Sequence, residues 1–152
     1  DAACRDFADL WTAAQGGGLD HWVDGTVGTL AYLIVTDQFA RNIHRGTPRA
    51  FEADTLALAL AQEAVAAKAD KALTQGERVF LYMPYMHSES TSIHVVADSL
   101  FLENAPKGNH DFELRHKAII DRFGRYPHRN EILGREYKAE ELAFLKEPGS
   151  SF

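Results

Sequence analysis

Three stretches of the chain carry residue types that could do chemistry. The first is Asp37-Gln38-Phe39-Ala40-Arg41-Asn42, running on to Arg45 and Arg49. On a helix Asp37 and Arg41 lie one turn apart and can pair. The plain structural reading is an exposed ion pair closing a helix, with arginines at the negative end of its dipole. The second stretch is His87-Ser88-Glu89, with His94 seven residues after His87. A seven-residue step returns to nearly the same helix face, so two imidazoles would converge on an unbroken helix. His87 with Glu89 is a candidate general acid/base pair. Two histidines and a carboxylate could also bind a metal, with His116 or His128 adding ligands. The spacing matches no zinc signature, however, and the His-x-Glu of nucleotide deaminases lacks its Pro-Cys-x-x-Cys partner here. We therefore expect no metal and no cofactor; the plain alternative is a polar helix end.

The third stretch is Arg122, Arg125, His128, Arg129, Asn130 and Arg135, grouped around Gly124 and Pro127. Planar guanidinium forks suit carboxylates and phosphates. An internal alternative has these arginines bonding helix carbonyls or pairing with Glu89, Asp37 or Asp121. His128 is a second general acid/base candidate.

The elements that must position these groups read as helices. Phe7, Leu10, Trp11 and Ala14 repeat at three- and four-residue spacing, predicting a helix over 2–15 that Gly16-Gly17-Gly18 ends. A second helix is predicted over 26–43, apolar nearly all round until Asp37. A third spans 54–69 with Asp54 as N-cap. Thr74-Gln75-Gly76-Glu77 reads as a capping box opening a fourth, in which Pro84 should kink or break the pattern. A fifth runs over 91–104. A sixth is capped by Asn109 or Asp111 and stops at Gly124, and a last helix lies near 138–146. No segment alternates with period two, so the expectation is an all-α single domain over 1–152, with about six to eight helices in antiparallel pairs.

Composition narrows the function classes. The 152 residues are enough for one core, and the formal net charge is -6. An acidic chain argues against a protein whose main task is neutralising nucleic-acid phosphates. Cys4 is the single cysteine, so no internal disulfide is available, and the reducing cytoplasm is the expected compartment. No run approaches a membrane span, so neither nucleic acid nor membrane is an expected partner. The chain opens at Asp1 directly into helical pattern, and we expect a further segment before it.

Taken together, Asp37-Gln38-Phe39-x-Arg41-Asn42, Gly46-Thr47-Pro48-Arg49-Ala50-Phe51, Phe80-Leu81-Tyr82-x-Pro84-Tyr85-x-His87-Ser88-Glu89 and Arg122-Phe123-Gly124-Arg125-Tyr126-Pro127-His128-Arg129-Asn130 resemble the bacterial family known as domain of unknown function 924. Ile132-Leu133-Gly134-Arg135 and the ending Pro148-Gly149-Ser150-Ser151-Phe152 resemble it too. The resemblance implies a tetratricopeptide-like helical fold and no particular activity. It is imperfect at Ala40, where the family usually has Pro, and at Ser90-Thr91-Ser92, where it usually has an acidic run.

Three readings follow. The leading one is a helical binding module for a small anionic molecule or an acidic peptide end. In it Arg41, Arg45, Arg49, Arg125 and Arg129 supply charge, and Asn42, His87, Glu89, His128 and Asn130 orient the ligand. The second is an enzyme using His87/Glu89 or His128, with Arg125 and Arg129 stabilising negative charge. The third is an internal Arg/His/Glu network in a protein that acts through a protein partner.

Overall fold

The computed structural model describes residues 7–152. The expected start of the first helix, and Cys4 within it, lie outside the described residues. Seven α-helices and several single 3₁₀ turns make up the fold, with no strand among the described residues. In chain order the helices are α1 (Ala8–Gln15), α2 (26–43), α3 (Asp54–Ala66), α4 (Gln75–Met86), α5 (Thr91–Asn104), α6 (Lys107–Phe123) and α7 (Ala139–Phe144).

The main core forms where α2, α3, α4 and α5 meet. Leu30 and Leu33 of α2 face Ala57, Ala61 and Ala64 of α3, and Leu81, Tyr82 and Met86 of α4 close the layer with Phe101 of α5. The alanines recur at helical spacing and let the backbones approach closely. Short connections at 87–90 and 105–106 fold α4, α5 and α6 back on one another. A second cluster packs Trp11 of α1 on Tyr32 and Val35, and a third joins Ile119 and Ile120 of α6 to Tyr126 and Phe144.

Local signals explain most boundaries. The Thr74 hydroxyl accepts from the Glu77 amide and the Glu77 carboxylate accepts from the Thr74 amide, at 3.3 and 2.7 Å, which is the predicted capping box. Gly124 ends α6 with φ +69°, the left-handed geometry that a C-terminal glycine supplies at little cost.

Three local expectations are corrected. Pro84 neither breaks nor ends α4, which continues to Met86. Being two residues from the end, it removes a hydrogen bond only where the helix is already finishing. Asn109 and Asp111 do not cap α6; it starts at Lys107 behind Pro106, whose φ of -59° already suits a helix entry. Asp54 is the first residue of α3 rather than its cap, because its carboxylate is engaged by arginines.

The helix over 26–43 is not uniform. Its middle, Ile34–Phe39, opens into a wide turn with i→i+5 bonding before regular helix resumes at Ala40. Such a turn inserts an extra residue and re-aims the side chains on it. Asp37 and Gln38 lie on this turn.

Candidate functional site

The wide turn of α2 points Asp37 inward, where it is only 2% exposed. The Asp37–Arg41 pair forms at 2.8 Å as the spacing predicts, but it is buried, not the exposed helix end expected. Five groups then close a ring. His87 at the end of α4 donates from Nδ1 to Asp37 Oδ1 at 2.7 Å. Arg41 bridges Asp37 to Asp54, reaching both Asp54 oxygens at 2.9 Å. Arg129 approaches Asp54 at 3.4 Å and donates to the His87 carbonyl at 3.0 Å. Two carboxylates and two guanidiniums cancel, so the ring is neutral when His87 is neutral. Buried charges are tolerable when paired and hydrogen-bonded in this way.

Burial disfavours the charged imidazole of His87, and the Arg41 cation adds to that, so its pKa lies below the ordinary value despite Asp37. The neutral ring therefore carries its proton on Nδ1, toward the carboxylate. Among the described residues Nε2 makes no hydrogen bond, and the side chain keeps part of its surface exposed at the cleft that His87 lines. Burial also opposes ionisation of Asp37, but His87, Arg41 and the donated hydrogen bonds outweigh it and hold the carboxyl down at about 2.

Arg129 is 6% exposed, with its guanidinium between the rings of Phe51 and Tyr126, at 4.5 and 4.7 Å from their centroids. Its Nε and the Nδ1 of His128 are buried without a hydrogen-bond partner. Burial, with the Arg129 cation second, pushes His128 down to about 4. Burial likewise holds His116 at about 3, and its Nδ1 donates to the Phe112 carbonyl at 2.9 Å.

Beside this ring lies a cleft of about 380 Å³. Arg41, Arg45, His87, His128 and Arg129 line it together with Gln38, and Phe51, Met83, Phe112 and Tyr126 give it an apolar wall. The volume and the mix of aromatic wall with a few polar groups suit a small ligand. Arg45 bonds only Asn42, at 3.1 Å, and has no carboxylate partner among the described residues.

Half of the predicted set lies elsewhere. Glu89 is not the partner of His87. It accepts from the Tyr126 amide at 2.7 Å and takes Arg135 in a two-point pair at 2.7 and 3.0 Å, pinning the 123–135 segment. Arg125 pairs with fully buried Glu141 of α7 at 2.6 and 2.8 Å, and Asn130 donates to the same carboxylate at 3.2 Å. Asn42 donates to the Gln38 carbonyl, and Arg49 lies over Trp11 and near Glu52. These five are engaged by partners within the protein. Arg129 meets Asp54, not Asp37 or Glu89.

His94 does not converge with His87. The chain leaves helix at 87–90, so the seven-residue step spans two helices, and His94 pairs with buried Glu113 at 2.7 Å. Among the described residues no group of three His, Cys, Asp or Glu gathers to hold a metal. Sequence reasoning missed Asp54, Phe51, Tyr126, His116 and Phe152 as neighbours of the cleft. Only the aromatic residues inside the Arg-rich segments hinted at them.

No helix of the described residues is long and apolar enough to cross a membrane. No curated protein matches the chain. Among solved structures it is similar to a protein of unknown function from Agrobacterium tumefaciens, ATU0120. The two are 36% identical with a TM-score of 0.88, over 96% of this chain and 85% of the other. Residues 1–149 match the family described as bacterial protein of unknown function (DUF924), and the chain, with the all-α fold the resemblance implied, belongs to that family.

Proposed function

We propose that this is a cytoplasmic binding protein whose cleft takes a small molecule with an apolar body and one anionic end. The observation that carries the reading is convergence. Arg41, Arg45, His87, His128 and Arg129 come from three segments far apart in sequence, and all face one cleft. A purely internal network needs no such opening. Arg41 and Arg129 line the cleft while their carboxylate partners Asp37 and Asp54 do not, so the ligand would meet more cationic than anionic groups of the balanced ring. Arg45 supplies the cation that no internal carboxylate neutralises. A protein held in place by Asp54, Asp37 and the Phe51–Tyr126 sandwich does not have to reorganise to receive an anion.

The test is calorimetric titration with a panel of aryl and alkyl carboxylates and phosphates. Saturable binding is expected, and Arg45→Ala should weaken it about tenfold, the scale of one charge-assisted hydrogen bond. An unchanged affinity in Arg45→Ala, or no binding across the panel, would refute the reading.

A second reading, an enzyme, is favoured by the His87–Asp37 contact at 2.7 Å. A carboxylate on Nδ1 fixes the tautomer that makes Nε2 a base. Among the described residues the cleft lining contains no Ser, Thr, Cys or Lys, so that base would act on water or on the ligand itself. Prolonged incubation with a bound panel member, followed by NMR, should then show conversion that His87→Gln abolishes while binding persists.

A further inference from the structure

Phe152, at the end of the segment 148–152, lines the cleft beside residues of the 3₁₀ turns Pro48–Phe51 and Pro127–Arg129. Gly149 turns the chain with φ +77°. Ser150, buried, donates from its hydroxyl to the Leu145 carbonyl at 3.2 Å and anchors the segment beside α7. Beyond that anchor no hydrogen bond among the described residues holds residues 151 and 152. The Phe152 ring is laid into the apolar end of the cleft by ring contacts alone. It stacks on His116 with centroids 3.8 Å apart and planes at 24°, meets Phe112 edge-on at 5.4 Å, and approaches His128 at 6.0 Å. The same ring remains 48% exposed.

These contacts describe a receptor for a flat ring. His116 presents a neutral imidazole face, since its Nδ1 proton is committed to the Phe112 carbonyl and burial keeps it unprotonated down to about 3. Phe112 and Tyr126 hold that imidazole edge-on, at 4.6 and 5.8 Å, and fix its plane. Offset stacking and edge contacts of this kind favour an aromatic guest over an aliphatic one. Arg41, Arg45 and Arg129 line the same cleft.

We infer that the His116–Phe112 end of the cleft is an aromatic-ring subsite, that Phe152 occupies it in the unliganded protein, and that the ligand carries an aromatic ring joined to a carboxylate or phosphate. This rests on the binding reading above and names its ligand class. An incoming aryl anion reproduces the stack that Phe152 makes and brings an anion to Arg45, which has no carboxylate partner among the described residues. Phe152 is thus a tethered competitor, and the apparent affinity for a ligand is lowered by the fraction of time its ring holds the subsite.

Phenyl phosphate, phenylacetate and inorganic phosphate, titrated by calorimetry into the full chain and into Phe152→Ala, test the idea. The variant should bind both aryl anions several-fold more tightly, on the order of 3- to 10-fold, and inorganic phosphate unchanged. Equal or weaker aryl binding by Phe152→Ala would make Phe152 a fixed wall and overturn the inference. Binding of inorganic phosphate and alkyl acids without aryl preference would also overturn it while sparing the broader reading; no binding of any anion overturns both. NMR of the His116 ring protons gives a second readout that needs no affinity. Their upfield ring-current shift should vanish in Phe152→Ala and return with phenyl phosphate. Resonances identical in both proteins would show that Phe152 does not stack there.

Discussion

Arg41 is the residue on which the buried ring depends most. It satisfies Asp37 and Asp54 at once, and neither carboxylate has another strong cationic partner at comparable distance. Arg41→Ala would leave two carboxylates in or near the interior with only His87, the Gln38 amide and the longer Arg129 contact. Removing one partner of a buried pair costs far more than the pair contributes net, because the remaining charge is left unsolvated. The expected loss is about 3–5 kcal/mol in urea unfolding. A midpoint equal to the native protein's would show that the ring is ornamental to stability. Asp37 was legible in sequence as the partner of Arg41, one turn away. Its second partner, His87, was not, because 50 residues separate them and nothing local selects Asp37 over Glu89.

At the scale of the element, α2 decides the geometry. It enters the fold beside the 3₁₀ turn Asp20–Asp24, crosses both cores, and widens at Ile34–Phe39 before delivering Arg41. Its entry depends on Gly28. A Cβ there would lie 2.0 Å from the Trp22 carbonyl oxygen and 2.9 Å from its carbon, both backbone atoms that cannot swing aside. Gly28→Ala must push α2 off that turn, a forced overpacking of about 1–3 kcal/mol. In a chain of this length the melting temperature should drop by about 5 °C. A variant that melts with the native protein would mean the turn yields at no cost. The long apolar run up to Asp37 showed where this helix lies. It did not show the wide turn, since an i→i+5 insertion changes bonding without changing residue pattern.

At the scale of the molecule, the buried histidines set the response to acid. His116 and His128 are held at about 3 and about 4 in the folded protein, against 6.5 for the free side chain. Below 6.5 the unfolded chain takes up protons that the folded chain refuses. Stability is therefore complete above about 6.5 and declines as pH falls toward 4, by up to about 1.4 kcal/mol per pH unit for each such group. Asp37 adds nothing in that window. Its folded value of about 2 lies below the ordinary 3.8, so its contribution is present above about 4 and lost only beneath it. Urea midpoints measured between pH 7 and pH 4 should fall steadily, and His116→Phe should flatten the slope. A native profile flat from 7 to 4 would contradict the burial assigned to both imidazoles.

The amino-acid sequence by itself determined the helices, the stop at Gly124, the start at the Thr74–Glu77 box, and the all-α class, because periodicity and capping are decided within a few residues. It also marked the Arg- and His-rich segments from which the cleft is drawn. Apart from Asp37 with Arg41, one turn apart, tertiary structure alone decided the pairing. Asp37 went to His87 and Arg41, Asp54 to Arg41 and Arg129, Glu89 to Arg135, and Glu141 to Arg125. Any of these carboxylates could serve any of these cations as far as charge is concerned. Which of them meet is set by how the apolar faces of distant helices pack. That packing carried Arg125 and Asn130 away to α7 and left Arg45, His87 and His128 around an opening that also holds Phe152.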